Sequence, residues 1–166
     1  MGSLRLHNIH FRTSQPLPTN IGIGINITPL PLMFAGLNIP ILISTASVFR
    51  SPHNPQTIKT SQVLAHFDTG ANKTSIDISL AKQLNLIPIG ESPSYTAAGL
   101  RQATDFVIDL SFPGTNLQPF QNLQISSCEL TSPTMSLQFM MLLGRDVMSR
   151  WNIVWDGPSS TVIISD

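Results

Sequence analysis

At 166 residues the chain is long enough for one well-buried core and too short for two ordinary domains. Only 11% of its residues are charged, nine Lys and Arg against nine Asp and Glu, and no basic run occurs, which speaks against a nucleic-acid partner. The single cysteine, Cys128, can neither close an internal disulfide nor share a metal with a second thiol, so core packing has to hold the fold.

Residues 1–18 show little periodicity and read as an arm, part of an N-terminal extension over 1–30 (arm, strand or propeptide) ahead of a domain over 31–166. From Thr13 to Phe49 no charge occurs, yet Asn26, Pro29, Pro31, Asn38 and Pro40 leave no clean run of about 20 apolar residues. Neither a membrane span nor a signal peptide is expected, and Leu6 occupies the hydroxyl position that myristoylation requires, so the expected location is cytoplasmic. Ile21, Ile23, Ile25 and Ile27 alternate with small or polar residues, the pattern of a strand with one buried face. Thirteen prolines and ten glycines punctuate short runs of Ile, Val and Leu, the texture of an all-β domain. Strands are expected at about 20–28, 39–46, 62–67, 92–97, 103–112, 119–130, 137–143, 151–155 and 161–165. Two short helices are expected. One covers about 78–85, where the Asp77 carboxylate can cap the first turn and Leu80, Ala81 and Leu84 share a face. The other follows Gly144 over about 145–150.

Asp68-Thr69-Gly70 directly follows the apolar run Val63-Leu64-Ala65-His66-Phe67. Alone, such a tripeptide is a turn in which Asp caps and Gly relaxes the backbone. At a strand end, however, a sharp turn can hold a carboxylate rigidly toward an open cleft. Ala71, a polar pair, a Thr-Ser-Ile strand and the capped helix follow it. Farther on come Met141-Leu142-Leu143-Gly144-Arg145-Asp146-Val147-Met148 and then Asp156-Gly157-Pro158. With these elements in this order the chain resembles, over about residues 30–166, the retropepsin-like aspartic protease family, and within it the small bacterial members.

The resemblance implies an all-β, closed retropepsin-like (acid protease) β-barrel subunit with one or two short helices and an active site at a homodimer interface. It implies Asp68 as the catalytic residue and Thr69, Gly70 and Ala71 as its loop, with Thr69 reaching across to a partner subunit and Gly70 admitting the substrate backbone. It also implies that the turn at Leu142, Leu143 and Gly144, with Arg145, braces that loop. Peptide hydrolysis of this kind needs two carboxylates sharing a proton and holding a water. Only one Asp-Thr-Gly is present, so a second copy of the chain must bring the second Asp68. Ala71 stands where pepsin-like relatives carry a hydroxyl donor; losing that donor favours the protonated carboxyl and shifts the expected optimum to about pH 4–6.

The resemblance places a substrate-covering flap at Thr96, Ala97, Ala98 and Gly99, within Tyr95 to Arg101. In retroviral relatives an acidic residue after Asp-Thr-Gly-Ala pairs with the counterpart of Arg145. Here Asn72 and Lys73 stand there, so Arg145 must turn to Asp77, another carboxylate or backbone carbonyls. His66 reads as a packed or interfacial histidine. His7 and His10 lack a third ligand, so no metal or other cofactor is expected. The sequons at Asn26 and Asn72 have no sign of secretion beside them. Met140, Met141, Trp151 and Trp155 read as core or interface filler. Residues 161–165 are the expected dimer edge. The expected partners are a second copy and a peptide or protein substrate, with no nucleic acid and no membrane. Competing readings are a catalytically weak or inactive peptide-binding or dimerisation module of the same fold, and a generic β domain in which the motifs are accidental.

Overall fold

A computed structural model describes residues 3–4, 36–50, 58–96, 99–130, 139–156 and 161–166. The strand expected at 20–28 and the flap residues Ala97 and Ala98 lie outside the described residues. Among those described, the strands in chain order are β1 (Ser3–Leu4), β2 (Asn38–Thr45), β3 (Thr60–Phe67), β4 (Ser75–Asp77), β5 (Pro88–Thr96), β6 (Gly99–Ser111), β7 (Phe120–Cys128), β8 (Met141–Leu143), β9 (Asn152–Asp156) and β10 (Thr161–Ser165). Two short helices, α1 (Ile78–Gln83) and α2 (Arg145–Met148), and a 3-10 turn at Ser47–Phe49 complete the elements.

Period-two alternation sets the core. In β2, Ile39, Ile41 and Ile43 turn inward and are buried, and on the core side of β6 so are Phe106, Ile108 and Leu110. Strands β2-β3-β8-β4-β7-β6 follow one another by hydrogen bonding, and Leu42–Thr45 of β2 pair back onto Ile108–Ser111 of β6. The sheet thus closes on itself as a six-stranded barrel, filled by Ile41, Ile43, Val63, Ile76, Ile108, Ile125, Met141 and Leu143, which removes the open edges that such short strands would otherwise expose. Closure leaves β5 outside, attached among the described strands to β6 alone. The all-β, closed-barrel expectation therefore holds.

Two pairings within this barrel are parallel, β3 with β8 and β4 with β7. Parallel pairing brings the ends of β3 and β8 side by side, so the turns after Phe67 and after Leu143 emerge as neighbours. Beneath them Trp151 packs at 5.0 Å from the Phe112 ring, 5.8 Å from Phe120 and 6.0 Å from Phe67, and the Arg150 guanidinium lies over Phe120. These aromatic contacts fix Phe67, the residue before Asp68.

α1 begins where its cap predicts, with Asp77 Oδ1 accepting from Ser79 N at 2.8 Å. It ends at Gln83, before the expected 85, because Asn85 takes a positive φ of 50° and the Leu86 N–H returns to Ala81 O. The hairpin arms are longer than expected: β5 starts at Pro88 rather than near 92, and β6 at Gly99 rather than near 103. Their added residues are all exposed, the apolar Ile89 and Leu100 included, so cross-strand pairing rather than a buried hydrophobic face marks them as strand.

A second sheet, ordered β1-β10-β9, holds the chain ends. The expected free edge at 161–165 is corrected here. β10 is the middle strand, with Ser165 and Ile164 paired to β1, its whole length paired to β9, and Val162 and Ile164 buried. Among the described strands the outer edge belongs to β9, where Ile153, Val154 and Trp155 are all exposed. Trp155 is therefore not core filler, unlike Met141 and Trp151. No helix of the described residues is long and apolar enough to cross a membrane.

Candidate active site

Asp68 leaves the end of β3 half-buried, its N–H donating to Leu143 O at 3.0 Å across the parallel pair. The loop then folds back on its own carboxylate. Oδ1 accepts from Gly70 N at 2.8 Å and from Ala71 N at 3.2 Å, while Oδ2 has no hydrogen-bond partner among the described residues. A Cβ on Gly70 would sit 3.1 Å from that same Oδ1, so a glycine lets the amide approach. One carboxylate oxygen is thus fixed and the other left open.

The segment from Leu143 to Asp146 holds this loop from the other side. Arg145 N donates to Ala71 O at 2.9 Å, and its guanidinium donates to Thr69 O at 2.8 Å and Gly70 O at 3.4 Å. Of the partners open to Arg145, backbone carbonyls are the ones it takes. Asp146 accepts from Thr74 N at 2.9 Å and from Thr74 Oγ1 at 2.7 Å, and that hydroxyl accepts in turn from Gly144 N at 3.0 Å. Thr74 is fully buried, so each of these bonds satisfies a group that water cannot reach. Gly144 packs so closely that a Cβ would lie 2.5 Å from the Lys73 carbonyl carbon. Only glycine admits that approach.

Lys73 does not stand free. Its Nζ lies 2.8 Å from Asp105 Oδ1, where the carboxylate also accepts from Ser126 Oγ at 2.6 Å and Ser92 Oγ at 3.0 Å. Burial would raise the Asp105 pKa, but the hydrogen bonds from Lys73, Ser126 and Ser92, with the Lys73 charge, outweigh it and hold the carboxyl below its usual range. Neither the sequence pattern nor the resemblance pointed to Asp105. It is one polar residue within a strand, and its partners lie far away in sequence.

His66 packs rather than facing open solvent. Its ring stacks on Phe139 with centroids 4.8 Å apart, and Nδ1 lies 3.1 Å from Asn38 Oδ1. Burial lowers its pKa, against the pull of the Asp68 charge. Cys128 donates to Ile76 O, and burial, with the nearby Asp77 charge, pushes its thiol up to about 12. Among the described residues no three His, Cys, Asp or Glu side chains gather as a metal site would require.

Of the residues expected as the flap, Thr96 and Gly99 are described and stand at the end of the β5–β6 hairpin. Thr96 pairs with Gly99 and donates to its carbonyl at 3.0 Å, and Gly99 takes a positive φ of 102°, as a tight turn needs. Both residues are exposed, and so are Tyr95 and Leu100 beside them.

No family model matches the chain, and no curated protein matches it in sequence. Solved structures similar to it include the retroviral protease-like domain of Ddi1 from Leishmania major, 15% identical, covering 78% of this chain and 88% of that one with a TM-score of 0.45. A retropepsin-like aspartic protease from Rickettsia conorii is 14% identical, with 77% and 90% covered and a TM-score of 0.41. The foamy viral protease-reverse transcriptase in complex with an RNA/DNA hybrid is 16% identical over 70% of this chain, which spans only 12% of that one, with a TM-score of 0.41. The likeness is one of fold alone.

Proposed function

We propose that this chain is one subunit of a homodimeric aspartic endopeptidase, in which the Asp68 carboxylates of two copies share a proton and activate a water against a peptide bond. The observation that carries this reading is the state of Asp68 itself: Oδ1 is pinned by two loop amides and Oδ2 is open at the mouth of a turn braced by Leu143 to Asp146. A fixed carboxylate with one free oxygen is what a general base for water requires.

The second acid has to come from another copy, because the carboxylates of the surrounding elements are already engaged. Asp146 is bound to Thr74, Asp105 to Lys73, and Asp77 to the start of α1 and the Leu130 amide. In the dimer one Asp68 takes the proton from water while its mate donates to the carbonyl oxygen, and the pair titrates as a unit with a bell-shaped pH profile. Thr69, Gly70 and Ala71 form the loop, Leu143, Gly144 and Arg145 support it, and the hairpin ending at Thr96 and Gly99 covers the peptide. The outer edge of β9, which no other described strand covers and where Val154 and Trp155 are more than half exposed, is where a second copy adds its strand.

Asp68→Asn keeps the shape of the side chain and its loop bonds while removing the base. Hydrolysis of a protein substrate is expected to fall by at least about a thousandfold with the fold intact. Equal hydrolysis by the variant and the parent would reject the enzyme reading and leave a peptide-binding module.

A further inference from the structure

Asp105 is only 5% exposed, yet it does not face the barrel core. Its neighbour Phe106 and then Ile108 fill the core, so Asp105 turns to the outer side of β6, the side on which Lys73 meets it. There one carboxylate joins four pieces of chain. It stands on β6, accepts from Ser92 on β5 and from Ser126 and Gln124 on β7, and receives the ammonium of Lys73 from the segment that leaves the Asp68 loop. The Lys73 backbone is itself held, packed against Gly144 and followed by Thr74 with its bonds to Asp146.

From this level outward the described residues of the hairpin are mostly exposed. Pro93, Tyr95 and Thr96 on β5 and Gly99, Leu100, Arg101 and Gln102 on β6 are exposed, and among the described residues β5 pairs with β6 alone. The distance from Asp105 to the turn at Gly99 is about 20 Å at ordinary strand rise. A small rotation at the root therefore becomes a displacement of several ångströms at the tip.

We propose that Lys73 and Asp105 are positioning residues, an ion pair that sets the angle of the β5–β6 hairpin over the Asp68 loop. What the hairpin covers rests on the endopeptidase reading; the joint between loop and hairpin does not. A partly buried ion pair suits this role because its net contribution to stability is small while its geometric demand is strict. The cation comes from the loop side, where the retroviral pattern has an acidic residue facing the short helix. In this chain the charged residue after Asp-Thr-Gly-Ala is thus tied to the hairpin, and Arg145 is left to hold the loop carbonyls.

The test compares the parent with Lys73→Met, Asp105→Asn and the milder Ser92→Ala in two measurements. Hydrogen exchange of amides 94–96 and 99–102 is expected to rise about tenfold in Lys73→Met while amides of β2, β3 and β7 keep their rates. With active sites titrated, KM for a peptide is expected to rise about tenfold in Lys73→Met and Asp105→Asn with kcat within about twofold, and less in Ser92→Ala. Unchanged hairpin exchange, or a rise shared equally by the barrel strands, would overturn the proposal, since a merely structural pair loosens everything together. An unchanged KM in a hydrolysing enzyme would overturn it as well. If the parent hydrolyses nothing, the endopeptidase reading falls and hydrogen exchange alone decides the joint. If the two charge variants fail to fold, Ser92→Ala decides it by the same criteria.

Discussion

Between Asp68 and Thr74 the chain is received by its surroundings, with bonds to Leu143, Arg145 and Asp146 and an aromatic floor under Phe67; the described hairpin residues 93–96 and 99–102 pair with one another across β5 and β6 and are mostly exposed. The two regions meet at Lys73 and Asp105. The difference teaches how one small barrel can combine a carboxylate held by its loop with a hairpin arm that stands exposed. Rigidity comes from burying polar groups with their partners satisfied, and freedom comes from keeping both faces of a two-stranded ribbon in water.

Substitutions can break that contrast in order of size. Trp151→Ala removes the floor shared by Phe67, Phe112 and Phe120 and is expected to cost about 3–5 kcal/mol in denaturant unfolding. Thr74→Val keeps the volume but removes the acceptor of the buried Gly144 N–H and one of the donors to Asp146 Oδ1, a loss of about 1–3 kcal/mol. On the hairpin, Tyr95→Ser changes a side chain that is 84% exposed and is expected to stay within about 0.5 kcal/mol of the parent. A cost near that of Thr74→Val would show that the arm is packed after all.

Acid sharpens the same contrast, with a smaller expected effect than the large core substitutions. The folded state lowers the His66 pKa, so the unfolded chain takes up the proton first. Stability is complete above the ordinary imidazole value of about 6.5 and declines as pH falls through that value toward the folded one. Asp105, also lowered, adds a second loss as pH falls below the usual carboxylate value of about 4. Thermal midpoints are therefore expected to drop between about pH 7 and pH 5, and His66→Gln to flatten that slope. An unchanged slope in the variant would show that His66 is not its source.

How much of this was legible in the sequence follows from the range of each interaction. The Asp-Thr-Gly turn after an apolar strand, the Asp77 cap and the hairpin turn near Gly99 are local, carried by residue types within a few positions. The brace from Leu143 to Arg145 was legible only because the family resemblance joined two distant motifs. Lys73 with Asp105, and Thr74 with Asp146, were not, because register and barrel closure make those pairs and no period in the sequence reports them. The expected edge at 161–165 failed for a similar reason: β9 and β10 are both short and apolar, and only the pairing order tells middle from edge.

The central claim is that one active site takes one Asp68 from each of two copies. Titrating the protein with a statine-type peptide, a mimic of the tetrahedral transition state, measures this directly by calorimetry. The account predicts saturation at one inhibitor per two chains, with binding lost in Asp68→Asn; saturation at one inhibitor per chain, or equal binding by the variant, would contradict it.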